Sequence, residues 1–461
     1  MELAQLYLYQ SAELIRRREL SPLELTRAYL RRIEQLNPRL NCFITLTAEM
    51  AEASARSAEA DLQRGEYRGA LHGIPIGLKD LFETQGVLTS GGSTFFADYL
   101  PQRDAYVVQQ LKAAGAVMLG KLNMHEIALG VTNNNPHYGA CHNPWALERI
   151  SGGSSGGCGA ALAAQLCLGA LGSDTGGSTR IPASLCGVVG LKPTFGRISL
   201  HGVMPLSWHL DHVGPMARCV RDVAVLLQSI AGYDATDPYS TPVQTDDYLA
   251  RLEAGVRGWR VALAVDDFFT QADEQVCRAV KTAAEVFASL GAPVEEVHLP
   301  EGLEAARANG LMVVSDAAAV YRQQLESNPE GFGEDVLQRL QSGAACSAVE
   351  YALARHQQTL WRHRLERLLV EFDVLLTPTT PIVAPPIEGP DAVEQARILT
   401  RFTSPFNLAG FPALSVPCGF SQEGLPIGLQ MVTRPWAEAK VLQAGFAYEQ
   451  ATEWHQRHPE W

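Results

Sequence analysis

The residues of this chain that are equipped for chemistry concentrate between Ser151 and Arg197. The stretch reads SGGSSGGCGAALAAQLCLGALGSDTGGSTRIPASLCGVVGLKPTFGR. Two glycine–serine turns, one around Ser154 and Ser155 and one ending at Ser178, flank an Ala/Leu-rich run. Glycines beside a serine let the backbone take positive φ and bring peptide N–H groups close to a ligand. A hydroxyl with converging main-chain donors is what a nucleophile and its oxyanion hole require. Upstream, Gly73-Ile74-Pro75-Ile76-Gly77-Leu78-Lys79-Asp80 sets a lysine inside apolar sequence. A lysine so placed either snorkels or pairs with its acidic neighbour, or is a base whose amine is freed by desolvation.

Competing readings fit less well. A Gly/Ser run is often a linker, but this one is embedded in apolar sequence on both sides. A phosphate loop needs Lys-Ser/Thr after its last glycine, and Cys158-Gly159-Ala160 stands there instead. Gly152 to Gly156 satisfies G-x-S-x-G, yet a nucleophile elbow requires a strand directly before it. The residues before it, His142-Asn143-Pro144-Trp145, are turn-like.

These side chains need a rigid frame. Ala160 to Leu171 lacks proline and β-branched residues, which predicts a buried small-residue helix between the two turns. Residues 1–66 read as helical, with Ser21 capping a helix that has Pro22 first and Glu24 third. Leu71 to Phe82 and Ala116 to Leu119 are strand candidates, with a helix at Ala105 to Ala114 between them. After residue 215 strands and helices alternate: a helix at 220–231, a strand at 258–265, a helix at 274–290 and a strand at 294–299. Residues 301–370 read as helical. Strands are expected again at 373–378, 414–417 and 426–432, with a proline-rich passage from Pro378 to Pro390. Without repeats or low-complexity linkers, one large α/β domain with a mixed, mostly parallel sheet is expected.

Composition sets the outer bounds. The 461 residues are 46% hydrophobic and 19% charged, the profile of a globular protein with a substantial core. A net charge of −13 and no dense basic cluster argue against nucleic-acid binding through a basic face. No run of 18 apolar residues predicts a membrane span, and the N-terminus lacks a basic n-region. Nine scattered cysteines without a C-x-x-C pair predict reduced thiols in the cytoplasm. No metal-ligand spacing appears, so no metal is expected.

The Gly73–Asp80, Ser151–Gly157, Gly172–Ser178 and Gly187–Phe195 motifs resemble the amidase signature family along essentially the whole chain, as does the late Asn407-Leu408-Ala409-Gly410 segment. The resemblance implies one α/β/α domain over residues 1–461 around a mixed sheet of about eleven strands. Within it, 1–66 is a helical part, 71–215 the catalytic core and 301–370 a helical pocket-shaping segment. It implies a cofactor-free amidohydrolase with a Ser-Ser-Lys triad: Ser178 as nucleophile, Ser154 as bridging serine behind a cis Gly153–Ser154 peptide, and Lys79 as general base. The amides of Thr175, Gly176, Gly177 and Ser178 are the implied oxyanion hole. Ser155 and Arg180 are implied supports. Asp174 either accepts backbone hydrogen bonds or simply forms the turn.

Family members differ in substrate. The glutaminase subunit of the tRNA amidotransferase reads NMDEF where this chain has Asn123-Met124-His125-Glu126-Ile127. It also has an acidic residue shortly before the NLAG segment, whereas residues 396–403 here contain two arginines and no carboxylate. Leu129 and Gly130 are expected on the acyl side of the pocket. Trp208 and His209 either add bulk beside it or pack their own turn. These differences favour a stand-alone hydrolase of a neutral small-molecule amide, with esters and carbamates admissible, and with no nucleic-acid or membrane partner. A homodimer is left open. The alternative is the glutaminase subunit of a glutamyl/aspartyl-tRNA amidotransferase, which works with partner chains.

Overall fold

Several runs in this chain are apolar on both of their alternating faces, and a strand of that kind is stable only with helices above and below it. The computed structural model, which describes residues 3–389 and 392–460, arranges them in one mixed sheet of eleven strands. In chain order these are β1 (Phe43–Leu46), β2 (Pro75–Lys79), β3 (Val117–Leu122), β4 (Gly169–Ser173), β5 (Val189–Lys192), β6 (Val213–Ala217), β7 (Val261–Ala264), β8 (Val294–Val297), β9 (Val374–Pro378), β10 (Ala413–Phe420) and β11 (Pro426–Val432). Their spatial order is β1-β3-β2-β4-β6-β5-β10-β11-β9-β7-β8. Strands β2, β4, β6, β9 and β11 are buried at every position. The edge strand β8 is half exposed and carries Glu295 and Glu296, charges that discourage edge-to-edge pairing.

The sheet is mixed, as expected, but its parallel pairings are confined to two flanks. Strands β3, β2 and β4 run parallel on one side, and β9, β7 and β8 on the other. Between them β4, β6, β5, β10, β11 and β9 pair antiparallel throughout, and β1 adds an antiparallel edge. The balance is therefore antiparallel rather than parallel. Strand β1 also interrupts the N-terminal part expected to be wholly helical. Ser21 caps the Pro22–Leu40 helix as the sequence predicts, its Oγ accepting from the amides of Leu23 at 3.1 Å and Glu24 at 3.2 Å.

The largest difference lies in the central stretch. The helix predicted over Ala160 to Leu171 instead spans Gly156–Ala163 and ends at Gln165, whose φ is +57°. The chain then returns as β4, parallel to β2, with Leu78 opposite Leu171. On its other side β2 packs closely against β3, where a Cβ on Gly77 would lie 2.6 Å from Leu122 Cδ1. Residues 301–370 are helical as expected, chiefly Gly302–Val320, Glu334–Ala344 and Ala348–Glu371. The last proline of the proline-rich passage, Pro390, lies outside the described residues. No described helix is long and apolar enough to cross a membrane.

Candidate active site

The carboxyl ends of the parallel strands β3, β2 and β4 meet at one place, the usual location of a site in an α/β sheet. Lys79 ends β2 and Ser173 ends β4. The Lys79 ammonium is fully buried and donates to Ser154 Oγ at 2.6 Å and to Ser173 Oγ at 2.8 Å. Burial disfavours its charged form and pulls its pKa down to about 7, against the raising fields of Cys158, Asp174 and Asp211.

Ser154 lies in the loop before the Gly156–Ala163 helix, and the Gly153–Ser154 peptide is cis. Ser155 fastens that loop to its surroundings. Its Oγ donates to the Ser173 carbonyl at 3.1 Å and accepts from the Ser173 amide at 3.2 Å. Its amide donates to the Ser178 carbonyl at 3.2 Å. The two serine turns and the end of β4 are thus held together by one residue.

Asp174 organises the turn that presents Ser178. Its carboxylate accepts from the amides of Gly177 at 2.8 Å and Thr179 at 3.1 Å, from Asn407 Nδ2 at 2.8 Å, and from Arg180 Nε at 3.0 Å and Nη2 at 2.9 Å. Burial acts to raise its pKa, but the Arg180 guanidinium and these donors outweigh it and hold the carboxyl well below the usual range. Arg180 continues to Gln430 Oε1 at 2.6 Å and the Thr403 carbonyl at 3.1 Å, bracing the turn against β11 and the 403–409 segment. Asp174 therefore accepts backbone hydrogen bonds, the first of the two roles its sequence position allowed.

The oxyanion expectation narrows here. The Gly177 amide is spent on Asp174, whereas among the described residues the amides of Thr175, Gly176 and Ser178 make no hydrogen bond within the protein. Thr175 is itself anchored, its hydroxyl donating to Asp211 Oδ1 at 2.7 Å. Asp211 also accepts from the amides of Leu206 at 2.8 Å and Ser207 at 3.1 Å, and burial pushes its pKa up to about 6.

A cavity of about 440 Å³ opens at Ser178, Thr175 and Gly176. Leu129 and Gly130 line it as expected. Trp208 and His209 do not. Trp208 lines a neighbouring cavity with Tyr239, and His209 Nδ1 lies 3.2 Å from Asp316 Oδ2. Ser207 and His209 both engage Asp316 on the Gly302–Val320 helix, while Leu206 of the same turn lines the cavity and Asp211 holds Thr175.

Three residues of the site were not anticipated from the sequence. Ser173 is the second partner of Lys79. Asp335 and Arg339, one turn apart on the Glu334–Ala344 helix, bring opposite charges to the same cavity. Arg339 donates to the Leu129 carbonyl at 2.9 Å, and burial lowers its pKa from the ordinary value. Asp335 Oδ2 accepts from His125 Nε2 at 3.1 Å. The departure noted at NMHEI thus ties the 123–130 segment to this helix.

Among known protein families, the one described as Amidase matches residues 24–442 of this chain. The A subunit of the glutamyl-tRNA(Gln) amidotransferase of Moorella thermoacetica is 41% identical, covering 100% of this chain and 99% of its own length. Its counterpart in Acaryochloris marina is 42% identical over 96% and 97%. A solved chain from a vestigial protein complex bearing on the origins of an s-triazine catabolic enzyme superposes with a TM-score of 0.92 at 35% identity, covering 96% of this chain and 98% of that one. A bacterial aryl acylamidase of the amidase signature family superposes with a TM-score of 0.90 at 26% identity, covering 98% and 97%.

These relatives correct two expectations. The similarity runs end to end with subunits of an enzyme named for a tRNA substrate, against the expected absence of a nucleic-acid partner and the preference for a stand-alone enzyme. An acidic surface argues against a chain that grips tRNA on a basic face of its own. It does not argue against a subunit whose assembly places the tRNA on another chain.

Proposed function

The chain belongs to the amidase family and is a hydrolase of amide carbon–nitrogen bonds; on that premise we propose a Ser-Ser-Lys mechanism at the cavity beside Ser178. The observation that carries the proposal is the buried Lys79 amine, 2.6 Å from Ser154 Oγ and with a pKa brought down to about 7. Ser178 Oγ attacks the carboxamide carbon, and its proton passes through Ser154 to neutral Lys79. The amides of Thr175, Gly176 and Ser178 hold the developing oxyanion, where preorganised donors act most strongly. The C–N bond breaks as the relay returns that proton to the leaving nitrogen, giving ammonia or an amine rather than an amide anion. Water, deprotonated by the same relay, then attacks the Ser178 ester, releasing the acid and restoring the serine.

We further propose that the amide is glutamine and that the chain is the ammonia-producing subunit of a tRNA-dependent amidotransferase. Whole-length similarity to the amidotransferase subunits supports this, as does the charge lining the cavity, where Asp335 stands with Arg339 and Arg397 and both signs are offered to a zwitterion. One observation favours a second reading, an amide without an ammonium group. The 396–403 segment brings Arg397 and Thr400 to the cavity but no carboxylate, and Asp335 is already engaged by His125.

Ammonia release from glutamine by the purified chain, alone and with candidate partner subunits and glutamyl-tRNA, separates these readings. Release that rises with partners supports the amidotransferase reading. Cleavage of an acyl anilide without any glutamine hydrolysis supports the second reading. Ser178→Ala is expected to lower either rate by at least about a thousandfold, the scale lost when a covalent nucleophile is removed, and a variant close to wild type removes the mechanism.

A further inference from the structure

Glycine is the poorest helix former after proline, so one inside a helix calls for a reason. Two reasons are ordinary: a backbone conformation other residues resist, or a neighbour occupying the space of the missing Cβ. Gly310 lies in the middle of the Gly302–Val320 helix and has neither. Its φ is not left-handed, and among the described residues a Cβ built there meets no atom within 4 Å. Among the described glycines it alone combines these properties, since each of the others with open space around it has positive φ.

The two other glycines in the same helix pair make the contrast plain. A Cβ on Gly302 would lie 2.6 Å from Phe268 Cδ1, and one on Gly343 would collide with the Val314 carbonyl. Both are explained by packing. Gly310 instead faces the cavity that opens at Ser178, on the helix face shared with Ala306 and Val313, while Asp335 and Arg339 stand on the other helix of the slot. Its neighbour Asn309 reaches the oxyanion turn, with Nδ2 donating to the Thr175 carbonyl at 3.4 Å. The missing side chain therefore leaves room in the substrate slot, one residue from the turn that holds the reacting carbonyl.

We propose that Gly310 is a specificity-determining residue: its bare backbone admits a group wider than a methylene chain, so the substrate branches or carries a ring at that level. The inference rests on the reading of Ser178 as nucleophile. In glutamine the branch would be the α-carbon with its two charged groups, and in an anilide or aryl amide it would be a ring.

Sulfonyl fluorides test the slot without knowledge of the substrate. Ser178 Oγ forms a bond to sulfur, fluoride leaves, and intact-protein mass reports the rate. Phenylmethanesulfonyl fluoride and methanesulfonyl fluoride are compared on wild type, Gly310→Ala and Gly310→Leu, with Ser178→Ala as the blank. In Gly310→Leu the ratio of the phenylmethyl to the methyl rate is expected to fall at least about tenfold, with Gly310→Ala between leucine and wild type. An unchanged ratio overturns the proposal. Gly310→Ala is also expected to melt above wild type, and a lower melting temperature would give Gly310 a structural reason and overturn it too. Absence of Ser178-dependent labelling in wild type by either reagent would instead remove the nucleophile assignment and the inference with it.

Discussion

At the scale of single residues, the Lys79 amine is the most heavily burdened group. It is fully buried and hydrogen-bonded to two hydroxyls, and among the described residues no carboxylate is paired directly with it. Hydroxyls solvate an ammonium less well than water or a carboxylate does, so desolvation prevails and the neutral base is populated near neutrality. Because the base must be neutral to accept a proton, kcat/KM is expected to fall as pH drops through about 7. Ser173 should tune that limb. Its Oγ accepts from the ammonium, so Ser173→Ala removes a bond that favours the charged form and moves the acid limb to lower pH. A pH profile of kcat/KM for both proteins checks this. A limb that stays in place would confine Ser173 to packing, and a limb absent from wild type would remove Lys79 as the base.

At the scale of elements, the Ser178 turn depends on a brace that runs from Asp174 through Arg180 to Gln430 on β11 and Thr403. Both charges are completely buried. Removing one partner of a buried pair leaves the other without compensation, at a cost of about 3–5 kcal/mol. Arg180→Met is therefore expected to lose stability on that scale in denaturant titration, and adding Asp174→Asn should return part of it. Equal losses in the single and double variants would mean that the carboxylate is satisfied without Arg180.

The same elements show what a single sequence can and cannot carry. Lys79, Ser154 and Ser178 are legible because each sits in a local motif whose glycines and apolar neighbours declare a special environment. Ser173 is not, since its role depends on the parallel register that sets Leu171 of β4 beside Leu78 of β2. The Gly169–Ser173 run has no β-branched residue, so its composition reads as helix while sheet pairing makes it strand. Asp335 and Arg339 lie more than 150 positions beyond the Ser178 turn, and only helix packing brings them to the cavity. Trp208 and His209 allowed two readings, bulk beside the pocket or packing of their own turn, and only the contacts of Ser207 and His209 with the distant Asp316 favour the second.

At the scale of the whole molecule, buried ionisable groups join the N-terminus to the C-terminal helix and set how stability responds to pH. Asp222 accepts from the amides of Leu8 at 2.8 Å and Tyr9 at 3.0 Å, and burial pushes it up to about 6. Glu449, on the Glu438–Gln450 helix, accepts from the Val220 amide at 2.8 Å, and burial pushes it up to about 8 from an ordinary 4.5. The folded state therefore holds these protons at pH values where the unfolded chain has released them. Their contribution is complete below the unfolded pKa and is lost as pH rises toward the folded one. Lys79 has the opposite sign: folded near 7 and unfolded near 10.5, it adds stability as pH rises between those values. The Asp222 and Glu449 contributions should thus weaken the fold as pH rises from about 5 to about 8, opposed by Lys79 and, with the same sign, by the buried Lys121, Lys192 and His212, whose lowered pKa values add stability as pH rises. Glu449→Gln keeps an acceptor for Val220 and removes the titration, so its stability relative to wild type should rise between about pH 5 and 8 by an amount of order a few kcal/mol, one pKa unit corresponding to about 1.4 kcal/mol. Thermal melts at half-unit intervals from pH 5 to 9 decide it. A variant curve parallel to wild type would show that Glu449 ionises near its ordinary value and leave Asp222 as the titrating group of the junction.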